Sequence, residues 1–284
     1  MRLPIHEGLA MNMSRKIPIL AFCVLAVGAP RVSFATPAGV PQGTAPRGAT
    51  QATAPQAAPQ APAAPGGRLA PAPEKAPRTI APYFTPATAL PKAPDAEGFL
   101  QRWLLLEPIN KPNRTNTVFT DSYLRSAFTT EYFPGQLTVV PHDKDKVTVA
   151  DQELAWHAVD STGFNVKLFR FAYGLNKPVY GVLFWAVTVV DSPREMTNVR
   201  MAVGSNSGSM WWLNGKEAVL LSGDRRMVMD DCISPRLTLN KGRNIIRGAV
   251  INGPGLSDFC VRFIDDNGRP IRDLTLSLEK AGNQ

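Results

Sequence analysis

Two adjacent tryptophans stand directly before an Asn-Gly turn in the segment MWWLNGKEAVLL, residues 210–221. Because side chains alternate along a strand, Trp211 and Trp212 point to opposite faces. One ring can therefore enter a core while the other points outward beside the polar turn. An outward aromatic ring at such a place suits stacking on the CH face of a sugar ring. The competing interpretation, which the usual burial of large apolar side chains favours, is a sheet covered on both faces.

Two arginines, Arg225 and Arg226, follow this hairpin. In a β-sandwich, the loop after a hairpin can lie beside other loops at one rim. Guanidinium groups donate paired hydrogen bonds to vicinal hydroxyls or to a uronate. Together with Asn214 in the turn, these arginines are candidate ligand-binding residues. The alternative is a pair of exposed loop arginines without a ligand.

The sequence offers little for catalysis. The run from Gly204 to Gly208 has the glycine spacing of a nucleophile elbow, but its central residue is Asn206 and not serine. His142 lies in a polar turn and His157 in a strand, where histidines are more often solvated or satisfied than catalytic. No catalytic residue is assigned, and the balance is against an enzyme.

The number and spacing of the cysteines limit the possible disulfide and metal chemistry. Cys23 lies in a leader segment, which leaves Cys232 and Cys260 as either a disulfide or two separate thiols. Neither has a second cysteine or a histidine at metal-ligand spacing, so no metal site and no cofactor are expected. The acid-rich turns at 230–231 and 265–267 could bind Ca²⁺ through oxygen ligands, although they lack EF-hand spacing.

The first third of the chain has the composition of a leader and a tether. A short basic region, an apolar run from Ile17 to Val27 and a small-residue site ending at Ala35 predict a signal peptide over residues 1–35. Met11 or Met13 could be the true start. Residues 36–95, rich in Ala and Pro, predict a disordered linker. We therefore expect export to the periplasm or the medium.

The net charge of +8 does not indicate a nucleic-acid partner. Residues 1–95 hold nine Lys or Arg against three acids, whereas residues 96–284 hold 22 against 20, a net of only +2. Nucleic-acid binding requires basic residues clustered on a folded surface, and no such run is present. After signal cleavage, no apolar run is long enough to span a membrane.

Residues 96–284 have the pattern of an all-β domain. Short, β-branched and aromatic runs alternate with turn residues, and VLFWAVTVV is apolar throughout, as in a strand covered on both faces. One short helix is expected in FTDSYLRSAFTTEYF, capped by Thr120 or Asp121 and ended by Pro134. The pattern predicts a β-sandwich or jelly roll. The predicted strands are QLTVV, KVTVA, ELAWHAV, YGVLFWAVTVV, NVRMAVG, SMWWL, EAVLL, RLTLN, NIIRGAVI, DFCVRFI and DLTLSL.

Three consecutive motifs occur over about residues 180–275. Their residues are Trp212, Asn214, Gly215 and Lys216, then Leu239, Lys241, Gly242 and Asn244, then Asp265 and Gly268. These motifs resemble the galactose-binding-like jelly-roll modules of secreted bacterial carbohydrate-active proteins. The resemblance implies a packing role for Trp212 and leaves Trp211 as the extra, outward ring. It also implies structural roles for Gly215, Gly242 and Asn244.

The sequence thus predicts an exported, non-catalytic polysaccharide-binding module. Such modules accompany glycoside hydrolases and carbohydrate esterases, and the resemblance extends to proteins of acetylxylan esterase type. An esterase-like enzyme is therefore one alternative. A second alternative is a structural or protein-interaction module that holds a partner enzyme, since many modules of this type bind no sugar.

Overall fold

The computed structural model describes residues 77–278. The expected signal peptide and most of the expected linker lie outside the described residues. Within 77–278, no helix is both long and apolar enough to span a bilayer.

The described part of the chain is built almost entirely from antiparallel strands. Two α-helices, α1 (Asp121–Thr129) and α2 (Leu168–Gly174), and one 3-10 turn (Asn116–Val118) interrupt them. The strands are β1 (Phe84–Pro86), β2 (Arg102–Leu106), β3 (Ile109–Asn110), β4 (Lys146–Val149), β5 (Gln152–Ser161), β6 (Val182–Ser192), β7 (Met196–Asn206), β8 (Gly208–Leu213), β9 (Lys216–Leu221), β10 (Cys232–Ile233), β11 (Leu237–Leu239), β12 (Gly242–Asn252), β13 (Asp258–Ile264) and β14 (Thr275–Ser277).

These strands form a large and a small sheet. The large sheet has the order β1-β5-β2-β6-β12-β8-β9, with β3 and β14 also paired to β6 and β4 paired to β5. In the small sheet, β7 is central: β10 and β11 pair along one edge and β13 along the other. The all-β sandwich predicted from the sequence is confirmed.

The large sheet buries both of its faces, which explains the uninterrupted apolar sequence of β6. Phe184 and Ala186 lie in an inter-sheet core with Val203 and Phe263 of the small sheet. The intervening residues of β6, such as Trp185, face the opposite way into a second cluster, the outer core. Helix α1, β4 and the 130–140 segment cover that outer core, so the large sheet is the middle layer of three.

The short helix predicted within residues 119–133 is present as α1, which ends at Thr129, before the predicted end at Pro134; its N-cap is Thr120, whose hydroxyl accepts from the Tyr123 amide at 3.3 Å. The predicted strand QLTVV, residues 136–140, is wrong, because the segment forms turns. The Gln136 carboxamide folds it back by accepting from the Tyr132 amide and donating to the Thr130 carbonyl. Helix α2 is absent from the sequence prediction.

The ordered domain begins earlier than the predicted boundary at residue 96. Phe84 in β1 is buried in the inter-sheet core, and β1 pairs with β5. The Arg102 guanidinium makes a bidentate pair with Asp160, at 2.9 and 3.0 Å, and also donates to the Leu90 carbonyl. Residues 84–95 therefore belong to the domain, which corrects the linker call for those residues.

One basic side chain in the outer core is poorly matched to its surroundings. Arg247 on β12 is 3% exposed, between Val187 on β6 and Trp212 on β8. Among residues 77–278, no hydrogen-bond or ion-pair partner faces its guanidinium. Burial lowers the pKa of Arg247 to about 10, because the charged form has lost its hydration without gaining a counter-ion.

We expect Arg247→Met to stabilise the domain by about 1–3 kcal/mol, since an apolar side chain of similar length removes the cost of a desolvated charge. In thermal unfolding, this corresponds to a rise in Tm of about 2–4 °C per kcal/mol. Arg226→Met, at an exposed arginine, is the matched control and should leave Tm unchanged. A fall in Tm for Arg247→Met would show that the buried charge of Arg247 does not lower the stability of the domain.

Candidate functional site

The tryptophan platform predicted at the hairpin is absent. Trp211 is 0% exposed, and its ring packs in the inter-sheet core against Trp103 and Phe259, with centroid distances of 5.9 and 4.8 Å. Its indole N–H donates to the Ser209 hydroxyl at 3.0 Å. Trp212 is also buried, at 6% exposure, in the outer core. The interpretation of Trp211 as a ligand-binding residue is wrong, because the large sheet is covered on both faces.

The polar residues of the hairpin hold two turns together. Asn214 and Gly215 occupy positive φ angles of 49° and 77°, as an Asn-Gly hairpin turn requires. The Asn214 carboxamide accepts from the Ile245 amide at 2.8 Å and donates to Asn244 Oδ1 at 2.9 Å. Both of its polar atoms are thus engaged within the protein, which argues against the predicted ligand-binding role of Asn214.

Asn244 is the centre of this network. It is buried, and its Oδ1 accepts from the Asn240 amide while its Nδ2 donates to the carbonyls of Asn240 and Gly242. Gly242 has a φ of 78°, the left-handed conformation that glycine adopts without strain. These contacts show how Asn244 and Gly242 shape the turn before β12.

The predicted arginines lie at the other end of the hairpin. Strand β9 separates them from Asn214 by five residue steps of about 3.4 Å, or about 17 Å. Arg225 is half-buried and donates to Asp231 at 2.9 Å and to the Ser222 carbonyl. Arg226 is exposed. The structure therefore does not bring Asn214 and the two arginines into one site.

Cys232 and Cys260 are free thiols, so the disulfide alternative is corrected. They lie on strands at opposite edges of β7, about 10 Å apart across two strand spacings. Their partners on β7, Val203 and Gly204, are consecutive, so the two side chains point to opposite faces. Burial raises the pKa of Cys260 to about 12, which keeps it protonated near neutral pH.

The histidines face acids and not hydroxyl nucleophiles. His142 Nδ1 lies 3.1 Å from Asp145, and His157 Nε2 lies 3.4 Å from Glu107. Burial acts to raise the pKa of Glu107, but hydrogen bonds from Lys177 and the Ala155 amide bring it below its usual value. In the described part of the chain, no serine, histidine and acid are joined by hydrogen bonds into a triad.

The acids proposed for Ca²⁺ are engaged elsewhere. Asp230 pairs with Arg262, Asp231 with Arg225, and Asp266 with Arg236. Asp265 accepts from backbone amides of its own turn. Between residues 77 and 278, no group of three metal-ligating side chains has the geometry of a metal site.

A different surface carries exposed aromatic rings. We call Phe169, Tyr173, Tyr180 and Leu256 the aromatic patch. Tyr180 is 56% exposed and Tyr173 and Leu256 are also exposed, while Phe169 is half-buried. Phe169 lies parallel to Tyr173, with centroids 6.5 Å apart, and 5.8 Å from Tyr180. Contiguous exposed apolar surface often marks a binding site, which makes the aromatic patch a candidate.

Helix α2 positions the patch. Its buried face, Leu168, Phe171 and Ala172, packs into the inter-sheet core and leaves Phe169 and Tyr173, four residues apart, on the outer face. The sequence FRFAY contains this signal. Its aromatics at every second residue also resemble a strand, which explains why the sequence alone did not reveal the site.

Cations hold two rings of the patch in place. The Arg78 guanidinium lies 4.4 Å from the centroid of Tyr173 and donates to Asn176. Arg170 lies 5.0 Å from the ring of Tyr83 and 5.9 Å from that of Phe169. No comparable cation–π contact involves Tyr180 within residues 77–278, so its ring is the most accessible stacking surface.

A cavity of about 130 Å³ opens beside the patch. Ser257 is 1% exposed, and its Oγ has no hydrogen-bond partner among the described residues; the same holds for Asp258 Oδ1, and both oxygens are inaccessible from the cavity. Asp258 Oδ2 accepts from Asn165 at 2.8 Å, and the Asn206 side chain also hydrogen-bonds to Asp258. Burial raises the pKa of Asp258, against the lowering effect of Lys167. The residues that line the cavity are Tyr83, Lys167, Phe169, Arg170, Leu256, Ser257 and Asp258.

No protein-family model matches the sequence, and no curated protein matches it. Among solved structures, a PA14 sugar-binding domain from an RTX adhesin is 8% identical, with a TM-score of 0.38 over 63% of this chain and 100% of that chain. The PA14 domain of the antifreeze protein MpAFP is 10% identical, with a TM-score of 0.36 over 64% of this chain and 93% of that chain.

A β-glucosidase from Kluyveromyces marxianus is 15% identical, with a TM-score of 0.29 over 60% of this chain and 15% of that chain. At TM-scores below 0.5, these three likenesses carry no argument about the function of this chain.

Proposed function

We propose that the domain is a non-catalytic carbohydrate-binding module of an exported protein, and that the aromatic patch is its binding surface. The observation that carries the proposal is the exposed ring of Tyr180, grouped with Phe169 and Tyr173 beside a cavity that polar and charged side chains help to line. Aromatic faces pack on the CH face of a pyranose ring, and polar atoms nearby select its hydroxyls.

The shape of the site supports binding of an extended polysaccharide. The patch is a surface, and the cavity beside it holds about 130 Å³, which is smaller than a pocket that encloses a whole drug-sized ligand. Several sugar units can lie along the rings while a substituent of one unit enters the cavity. Such a site gives modest affinity, with a Kd in the range of about 0.1–1 mM.

A second exposed apolar cluster supports a role in protein binding. Val228, Met229 and Ile233 are exposed in and beside the loop that precedes β10. The cluster fits the alternative of an interaction module that holds a partner enzyme, and it supplies a matched control surface for the binding test.

The test measures retention of the protein on insoluble polysaccharides. Tyr180→Ala should reduce retention at least tenfold and leave the unfolding temperature unchanged, because the ring is exposed and makes few core contacts. Ile233→Ala removes an exposed apolar side chain from the other cluster and should leave retention intact. The panel contains cellulose, xylan, mannan, chitosan and pectate.

Three results would contradict the proposal. If the protein is retained on none of the polysaccharides, the proposal of carbohydrate binding is wrong. If Ile233→Ala loses retention and Tyr180→Ala keeps it, the binding site lies at the cluster of Val228, Met229 and Ile233. Release of acetate from acetylated xylan by the wild-type protein would favour the esterase alternative, and His157 would then be the first residue to substitute.

A further inference from the structure

Positive charge is concentrated around the aromatic patch. Two segments, residues 162–181 and 252–258, supply the patch and most of the cavity beside it. They hold three Lys or Arg side chains against one acid, a net charge of +2. Residues 96–284 as a whole hold 22 against 20, also a net of +2. The rest of that range is therefore neutral in sum, and its excess positive charge lies in the two segments that form the candidate site.

Two of these three cations have no ion-pair partner within residues 77–278. The third, Lys177, lies 2.8 Å from Glu107 and is neutralised by it. Lys167 and Arg170 both line the cavity, and no carboxylate of the described chain lies within ion-pair distance of either. Lys167 is half-buried, so water screens its charge less than on an open surface. These two side chains present unneutralised positive charge to the cavity.

Two aromatic rings hold the Arg170 guanidinium beside the cavity. It lies 5.0 Å from the ring centroid of Tyr83 and 5.9 Å from that of Phe169. A guanidinium that lies against a ring keeps the N–H groups on its edge free to donate. Among residues 77–278, no acceptor is hydrogen-bonded to these N–H groups. Arg170 is thus a positioned donor, and a carboxylate accepts two parallel hydrogen bonds from such a group.

The acid of the cavity lining, Asp258, does not supply that acceptor. Its Oδ2 accepts from Asn165 at 2.8 Å, the Asn206 side chain also hydrogen-bonds to it, and its Oδ1 is inaccessible. Burial raises the pKa of Asp258, and Lys167 opposes this through space without a hydrogen bond. With two cations against one acid, the lining keeps a net positive charge.

We infer that the aromatic patch and its cavity bind an acidic polysaccharide, with a uronate carboxylate of one sugar unit paired to Arg170 and Lys167. This inference rests on the proposed function and specifies the ligand class of the same site. The exposed rings pack on the sugar backbone, and the two cations distinguish an acidic unit from a neutral one. The cavity of about 130 Å³ has room for a carboxylate, which is the size of a few water molecules.

The test compares two ligands that differ only in charge, by isothermal titration calorimetry of the full protein. They are the galacturonic acid hexamer and its fully methyl-esterified form, which keeps the same rings without the negative charge. The acid should bind about tenfold more tightly at low salt, since each of two ion pairs near a surface contributes up to about fivefold. In about 0.5 M NaCl the ratio should fall towards one, because salt screens such pairs.

Variants without the positive charge identify the cations responsible. Arg170→Gln should lower the ratio of the two affinities to about three, and the same change combined with Lys167→Gln should lower it to about one. Tyr180→Ala should weaken the binding of both hexamers alike and leave their ratio unchanged. Arg269→Gln is the matched control, at an exposed arginine in the turn that follows the far end of β13 from Asp258, and should change neither affinity.

Several results would overturn the inference and leave glycan binding in place. One is equal affinity of the wild type for the acid and its methyl ester. Another is an unchanged ratio in a folded variant that lacks both cations. If that variant does not fold, an unchanged ratio in Arg170→Gln together with a salt-independent ratio in the wild type has the same meaning. Equal affinity for a hexaglutamate peptide would show attraction to any polyanion, and the assignment to acidic sugars would be wrong.

The failure of the proposed function looks different. If the wild type binds neither hexamer and is retained on none of the insoluble polysaccharides, carbohydrate binding fails and the inference fails with it. If it binds neither hexamer but is retained on a neutral polysaccharide through Tyr180, only the inference is wrong.

Discussion

Trp211→Ala is expected to lower the free energy of unfolding by about 3–5 kcal/mol, as for other large truncations in a close-packed core. The side chain is fully buried against Trp103 and Phe259. Its loss also leaves the buried Ser209 hydroxyl without its indole partner, which adds to the cost. Denaturant unfolding followed by circular dichroism measures this change.

A conservative variant isolates the packing contribution. Trp211→Phe retains an aromatic ring over Gly248, whose missing side chain leaves room for the indole, since a Cβ there would lie 2.2 Å from it. We expect this variant to lose less than half as much stability as Trp211→Ala. A loss below about 1 kcal/mol for Trp211→Ala would mean that the ring is not packed as described.

Trp212→Ala should cost about 2–4 kcal/mol, slightly less than the same change at Trp211. The ring stacks on Trp185 across the outer core, with centroids 5.8 Å apart and planes 21° from parallel. Its removal leaves a cavity, but it also lets water reach the neighbouring Arg247, and the regained hydration offsets part of the loss.

The coupling between Trp212 and Arg247 can be measured in a double-mutant cycle. In the Arg247→Met background there is no charge to rehydrate, so Trp212→Ala should cost more than in the wild type. Equal costs in the two backgrounds would show that Trp212 does not shield the guanidinium.

The sequence predicts most of the strands because their signals are local, although β1, β2, β3 and β10 are not among the predicted strands. The Asn214-Gly215 turn, the Thr120 cap and the apolar run of β6 each depend on a few adjacent residues. The face of Trp211 is not a local property. It depends on the small sheet, which packs against the large sheet through residues such as Val203, eight positions earlier in the chain.

The candidate site could not be predicted for the same reason. The aromatic patch joins α2 to Tyr180 and to Leu256, which follows β12. Part of the cavity lining comes from the start of β13, about 90 residues after α2. The pairing of Val166 with Phe259 and the hydrogen bond from the Phe169 amide to the Ser257 carbonyl bring these segments together, and no spacing in the sequence shows either. The predicted arginines are close in sequence to the Asn214 turn but are separated from it by the length of β9.

The amide pair Asn214–Asn244 joins the β8–β9 hairpin turn to the turn that precedes β12. Asn244 satisfies backbone groups of its own turn and at the same time binds the side chain that shapes the other. Opening either turn leaves unpaired polar groups in both, so the β8–β9 edge and the start of β12 form one cooperative unit of local unfolding. The edge of the large sheet therefore resists fraying at this end, although β9 has a neighbouring strand of that sheet on only one side.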